Sequence, residues 1–462
     1  MSDSWSGVRF AQLKSSNAVV LANRALGAAL QLGVVVVVAR TANATTLGAY
    51  LVFSAAVRLI GTAVSFGEPW VALRSIPQSD EMGDPAKSRI YFLGSVQAVT
   101  RNFLIATALG VPGAILVLGR GRLDTETLVL IALGVLGVAG YAYTDIGVDG
   151  LKARGMIQRG LFLDFSLTPL CVIVWAVGAK ATGGSAGIVG LAAAQTIGAI
   201  ASAVLSFVML RWDHRRRFGA ADPGGGAIPA RSRSERRTVM SFGLTSLLTT
   251  AAPSLPQVLL PLVMSLADVG RVGAAIRITS VPGVLVVGLS SVFAPRFARL
   301  AITEDRTGLH RALRESQRWV MGLYIPFAIV FIVLPERIIP ILGPDFAQTA
   351  VALRILGIGQ LVNALAGLAP MLLAMCNTED FVVAATGASV IVMGAASLVA
   401  GARWGVIGAA LGYAASVASR NVMLYVKATR VIRSGQLVSD TAAADLKAAE
   451  SAATGAVGSG GG

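Results

Sequence analysis

The chain is a succession of long apolar runs, each about 20 residues, separated by short polar breaks. They fall at residues 17–39, 45–66, 90–118, 126–147, 160–179 and 185–210, and again at 239–265, 272–294, 317–342, 349–375, 381–400 and 405–427. Each is long enough for a helix to cross a hydrocarbon core, where the backbone must satisfy its own hydrogen bonds; barrel strands would alternate over about ten residues instead. The pattern predicts an all-α polytopic membrane protein of about 12 transmembrane helices in two six-helix lobes, an N-lobe over 1–210 and a C-lobe over 239–433. Residues 211–238, opening RWDHRRRFG and closing RSRSERR around a DPGGG centre, read as a basic linker. The Ala-, Gly- and Ser-rich stretch 434–462 reads as a disordered tail. No cleavable signal is expected, because the first sixteen residues are polar and the run after them is too long for a signal core.

Composition agrees: 55% of residues are hydrophobic, 14% are charged, and the mean hydropathy is +0.71. The net charge of +15 would suggest nucleic acid in a soluble protein, but in a membrane protein basic residues gather in cytoplasmic loops. Lys and Arg crowd the connections after the second, fourth, sixth and eighth runs, whereas the alternate connections hold few. The asymmetry places both termini inside, and the excess of Arg over Lys with abundant Ala and Gly points to a bacterium, whose cytoplasmic membrane is the expected location. Cys171 and Cys376 lie in apolar runs of different halves, so neither a disulfide nor a metal site is expected, and no cofactor is. The halves echo one another: FGEPWVALRSI (66–76) and VFAPRFARLAI (292–302) each place a proline shortly before an arginine, Pro69 and Arg74 against Pro295 and Arg299. Two halves of like orientation imply a parallel repeat with a cavity between the lobes.

Several stretches in succession resemble the polysaccharide exporters, or lipid-linked oligosaccharide flippases, of the multidrug/oligosaccharidyl-lipid/polysaccharide superfamily. They are LANRALGAALQLGVVVVVAR (21–40), TLGAYLVFSAAVRLI (46–60), GLKARGMIQRGLFLD (150–164), FAPRFARLA (293–301) and LRILGIGQLVNALAGLAPMLLAMCNTED (353–380). The resemblance implies the fold of the multidrug and toxic compound extrusion (MATE) transporters, an inverted V of two six-helix lobes with alternating access. It also implies a lipid-pyrophosphate sugar as cargo, with glycosyltransferases and a polymerase of the same pathway as partners.

A charge inside a bilayer costs about 2.5 to 3.5 kcal/mol on insertion scales, so each intramembrane ion needs a reason. Asn17, Arg24 and Gln31 form one stripe on the first run, and Ser54, Arg58, Thr62 and Ser65 form another on the second. Arg24, Arg58 and Arg101 lie at similar depth and are expected to converge on the cargo headgroup. Arg277, Arg354 and Arg420 are the candidates of the second half, and Gln257 sits among Pro253, Pro256 and Pro261 in a run expected to be bent or broken as a gating helix. Asp145, Asp149 and Asp164 beside Lys152, Arg154 and Arg159 read as a salt-bridged cytoplasmic gate. The glycines Gly134, Gly137 and Gly140 read as a site of close helix contact.

The function expected is a flippase for a lipid-linked anionic oligosaccharide, not an enzyme. Arginine forks suit pyrophosphate oxygens. A cation-coupled multidrug exporter of the same fold is the alternative; it would use buried carboxylates. A membrane glycosyltransferase or polymerase is disfavoured, since the external connections are too short to house acidic catalytic residues.

Overall fold

The computed structural model describes residues 4–81, 85–118, 124–218, 233–376 and 378–434, with side chains from Val19 onward. The Asn17 side chain, residues 219–232 of the expected linker and residues 435–462 of the expected tail lie outside them. All regular structure among the described residues is helical. The N-lobe comprises α1 (Ser4–Thr41), α2 (Ala44–Ser65), α3 (Glu68–Glu81), α4 (Pro85–Leu118), α5 (Thr125–Ala153), α6 (Ile157–Phe165), α7 (Leu167–Ala181) and α8 (Ile188–Phe218). The C-lobe comprises α9 (Arg233–Leu259), α10 (Leu266–Ile302), α11 (Arg306–Val333), α12 (Pro335–Ile338), α13 (Thr349–Leu365), α14 (Ala369–Met375) and α15 (Glu379–Ser434). We call the end carrying the α8–α9 and α10–α11 connections the basic end, and the opposite one the far end.

Ten helices among the described residues are long and apolar enough to cross a membrane. The last, Asp380–Ser434, is two crossings, because its backbone leaves the helix at Gly405 with φ 54° and ψ −134°. A side chain is strained at that φ, so glycine lets the chain reverse there. The arms then pack so tightly that a β-carbon on Gly412 would lie 2.6 Å from Ser397 N. The twelfth crossing is α9. Its basic first turn and its Ser, Thr and Pro content lower its hydropathy, yet it runs antiparallel to α2, with Gly243 beside Phe66 and Thr250 beside Thr62.

Helix starts follow capping chemistry. Asn43, Asp124, Ser265 and Asp305 each accept a backbone N–H three residues on. The N–H of Gly308 and the Thr307 hydroxyl hold the Asp305 carboxyl below the ordinary carboxylate range.

Three expectations change. The stretch after the second run is a helix, α3, packed on α4 and α5; its Pro69 therefore lies outside the second crossing, whereas Pro295 lies inside α10. α8 continues to Phe218 and α9 begins at Arg233, so helix extends into both flanks of 211–238. α9 runs through Pro253 and Pro256 without a break and passes into a 3-10 turn, Leu260–Leu262, only at Pro261. The glycines of α5 sit against neighbouring helices: a β-carbon on Gly137 would lie 2.9 Å from Val57 Cγ1, and one on Gly140 would lie 2.9 Å from Ala199 Cβ. Cys171 and Cys376 are free thiols.

The lobes meet along α1, α2, α9 and α10. At the far end α2 and α10 cross so closely that a β-carbon on Gly48 would collide with the carbonyl of Leu266, and one on Gly270 with that of Ala44. One sequence offset relates Gly48 to Gly270, Ala44 to Leu266, Phe66 to Gly288 and Leu21 to Gly243, and Gly288 packs against Leu21 as Gly243 packs against Phe66. The interface is thus two-fold symmetric in its contacts.

Candidate functional site

A cavity of about 270 Å³ lies between the lobes, where α1, α2 and α5–α7 face α9 and α10. The N-lobe wall carries Gln31, Tyr50, Ser54, Arg58, Tyr141, Asp164, Phe165 and Thr168; the C-lobe wall carries Thr250, Pro253, Ser254 and Arg277.

Two guanidinium groups reach this space. Arg58 Nη1 donates to Asp145 Oδ1 at 2.9 Å, and its guanidinium carbon lies 5.1 Å from the Tyr141 ring centroid. Asp145 Oδ2 also accepts from Ser65 Oγ at 3.2 Å. Arg277 Nη1 donates to Gln31 Oε1 at 3.0 Å, a bond that crosses from one lobe to the other. Arg58 and Arg277 retain further N–H donors, and planar forks of this kind match the oxygens of a phosphate. One carboxylate, Asp164, also lines the cavity; its Oδ2 is 3.7 Å from Lys152 Nζ.

The expected convergence of three arginines does not occur. Arg24 is not among the residues lining the cavity; its guanidinium lies 5.6 Å from the centroid of the lining Phe165 ring, and its buried Nε has no hydrogen-bond partner. Arg101 is exposed on α4, with only the adjacent Asn102 as a partner at 3.5 Å.

In the C-lobe, Arg354 is tied to Glu336 at 2.5 Å and to the Ile332 carbonyl near the far end, so it holds a helix pair instead of lining the cavity. Arg420 lies on the second arm of α15 with its Nε buried and without a partner, and Gln257 is buried one turn beyond the cavity-lining Ser254 with its Oε1 unpaired.

The expected gate also resolves differently, because a gate must join moving parts and every ion pair found here is internal to the N-lobe. Asp145 holds Arg58; Lys152 Nζ holds Asp149 at 2.8 Å and Asp164 at 3.7 Å. Arg154 is buried between Asp80 at 3.5 Å and Asp213 at 3.4 Å, stapling α3, α5 and α8 together. Arg159 is on the surface, near the Met156 sulfur.

Besides the Arg277–Gln31 bond, the lobes are joined by contacts that escaped the sequence. At the far end, Arg40 donates from Nε to the Ile341 carbonyl at 2.6 Å and from Nη2 to the Pro340 carbonyl at 2.7 Å; Ala44 N donates to Asp345 Oδ2 at 3.4 Å. Towards the basic end, Trp70 of α3 stacks on Phe242 of α9 with centroids 4.8 Å apart, and its Nε1 donates to Ser246 Oγ at 3.1 Å. Carbonyl acceptors leave no trace in composition, and a ring pair formed between helices of different lobes has no signature in either helix alone.

A family model described as Lipid II flippase MurJ matches residues 158–457. No curated protein matches the chain in sequence. Among solved structures, an inward-facing multidrug resistance MATE family transporter of the MOP superfamily superposes with a TM-score of 0.71 at 13% identity, over 91% of this chain and 99% of that one. An outward-facing conformation of such a transporter gives 0.63 at 15% identity, over 91% and 96% of the two chains. A MOP superfamily transporter from Pyrococcus furiosus, described with a binding pocket of reverse polarity, gives 0.62 at 15% identity, over 92% and 96%. At these identities the likeness establishes the fold, the two-lobed one that the resemblance implied.

Proposed function

The chain belongs to the Lipid II flippase MurJ family, and from that premise we propose that it carries a lipid-pyrophosphate saccharide, lipid II or a close relative, across the bacterial cytoplasmic membrane by alternating access. The family is a flippase family, so the general expectation of a membrane transporter for a lipid-linked substrate holds. The matching family is the lipid II flippases, not the polysaccharide exporters whose stretches the sequence resembled.

The observation that carries the reading is the placement of Arg58 and Arg277 on opposite walls of one interlobe cavity. Two forks facing each other can bind successive phosphates of a pyrophosphate and draw the lobes together around it. In this reading the basic end is cytoplasmic, both termini are inside, and the far end faces outward. With the interior negative, moving each negative charge outward gains about 2.3 kcal/mol per 100 mV.

The test is flipping of a labelled lipid-linked saccharide in proteoliposomes, normalised to inserted protein. Arg58→Ala and Arg277→Ala should each reduce flipping by more than about tenfold, equivalent to the roughly 1.5 to 3 kcal/mol of a charged hydrogen bond. Arg→Lys at either site should fall between wild type and alanine, since charge remains but the fork is lost. Arg101→Ala should flip normally. Full activity in both alanine variants removes the cavity from the mechanism.

A second reading has one observation in its favour. Asp164 and the rings of Tyr50, Tyr141 and Phe165 line the same cavity, a set that suits a lipophilic cation. Drug efflux abolished by Asp164→Asn, with saccharide flipping absent, would favour this exporter reading.

A further inference from the structure

A second cavity, of about 280 Å³, opens on the C-lobe surface between α10 and α11, far from the chemistry described above. Its walls are Leu289, Val292, Phe293 and Trp319, and at one side Arg296 is paired with Glu315 at 2.6 Å. Val292 is 69% exposed and Trp319 is 61% exposed, so the apolar wall is open.

The furrow lies where the two helices leave the membrane. The apolar crossing of α10 ends at Ser290, and Trp319 opens the apolar part of α11 after the basic stretch Arg306–Arg318. Trp is the side chain that sits at headgroup level, with its ring in the acyl boundary and its N–H in water. Beyond that level the charge is mainly basic, with six arginines to three acids over residues 291–318. The sole acid of the furrow is occupied by Arg296, while Arg299, Arg314 and Arg318 are exposed and form no ion pair among the described residues. Arg318 lies one turn from Glu315 on the face that borders the furrow, and Arg314 lies one turn before Arg318.

An apolar trough that passes into unpaired guanidinium groups at the membrane boundary has the polarity of one kind of molecule. We propose that this furrow seats an anionic phospholipid, its acyl chain along Leu289, Val292 and Trp319 and its phosphate at Arg314 and Arg318. The site does not depend on which cargo the central cavity carries. A zwitterionic lipid would fill the trough equally well but would leave the arginines unmatched; two basic side chains near a headgroup give roughly fivefold preference each for the anionic species.

The test reads Trp319 directly. The purified full chain is placed in phosphatidylcholine nanodiscs containing a minor fraction of either chain-brominated phosphatidylglycerol or chain-brominated phosphatidylcholine. The Trp319 contribution to quenching is the difference between wild type and Trp319→Phe. We expect brominated phosphatidylglycerol to quench it several-fold more strongly, with the excess lost in Arg314→Ala/Arg318→Ala and reduced by high salt, which screens exposed charge. Equal quenching by the two lipids would mean an ordinary annular contact and would overturn the site. So would an excess that survives the double substitution, because the furrow's arginines would then not be its cause. Should the double variant fold poorly, the salt dependence in wild-type protein decides alone: a preference insensitive to salt also overturns the proposal.

Discussion

The two lobes share one scaffold and differ in how they handle buried charge. In the N-lobe, ions inside the bundle come in opposed sets: Arg58 with Asp145, Lys152 with Asp149 and Asp164, Arg154 with Asp80 and Asp213. In the C-lobe the ion pairs found lie near helix ends, Arg271 with Asp268, Arg296 with Glu315 and Arg354 with Glu336, and the interior cation Arg420 has no acidic partner among them. The close glycine contacts between the lobes are symmetric, but the chemistry of the lobes is not. The consequence reaches the cavity. A phosphate arriving at Arg58 must compete with a carboxylate for the same guanidinium, whereas at Arg277 it displaces only the neutral Gln31 amide. Of the two cavity arginines, the C-lobe one is the freer to bind an anion.

The largest effect that would test this contrast is on folding stability. Arg58→Ala strands Asp145 in a low-dielectric bundle and should cost about 3 kcal/mol, the lower end of the range for breaking a buried pair, since a third of the Arg58 side chain faces the cavity. Adding Asp145→Ala should recover most of that loss. Arg420→Met should be neutral or stabilising, because it removes a buried charge that lacks a partner. Thermal unfolding in detergent measures all three, and an Arg420 variant as damaged as Arg58→Ala would end the distinction between the lobes.

A somewhat smaller effect tests the symmetry. Gly48→Ala and Gly270→Ala each drive a methyl group into the opposite backbone and should each cost about 1 to 3 kcal/mol, the range for overpacking. Because the two positions are equivalent across the interface, their losses should match; unequal unfolding temperatures would show that the far-end crossing is not two-fold in its energetics.

The smallest effect concerns pH at the edge of the C-lobe. The depressed Asp305 carboxyl contributes stability that is present above its unfolded value and lost as pH falls through the folded value. The hydrogen-exchange protection factor of the Gly308 amide, which is corrected for the slower intrinsic exchange in acid, should therefore fall as pH falls, and Asp305→Ala should remove that pH dependence without touching the N-lobe network.

Bilayer thickness made the twelve crossings legible, since it alone sets the length of an apolar run. The amphipathic α3, EPWVALRSIPQSDE with Pro77 inside it, matches no such length and read as a loop. Asp145 read as a cytoplasmic residue because the apolar run stops near 147, but α5 continues to Ala153, which puts Asp145 two turns inside and level with Arg58. Arg58 and Arg277 could be singled out because a lone cation in an apolar run is costly. That Arg101 faces outward depends on helix rotation, which neighbouring helices set and a single-helix count cannot show; Arg24 shares the face of the cavity-lining Gln31 but lies two turns from it, against the Phe165 ring.

The far-end crossing has the form of a contact between two copies of one subunit, each patch meeting its own equivalent across a dyad. In a dimer built that way, association is governed by protein concentration; here the stretch between Phe218 and Arg233 replaces concentration with tethering, as a short linker does for two binding modules. Severing the chain there would accordingly make the melting temperature rise with the amount of protein present, whereas that of the intact chain would not change with dilution.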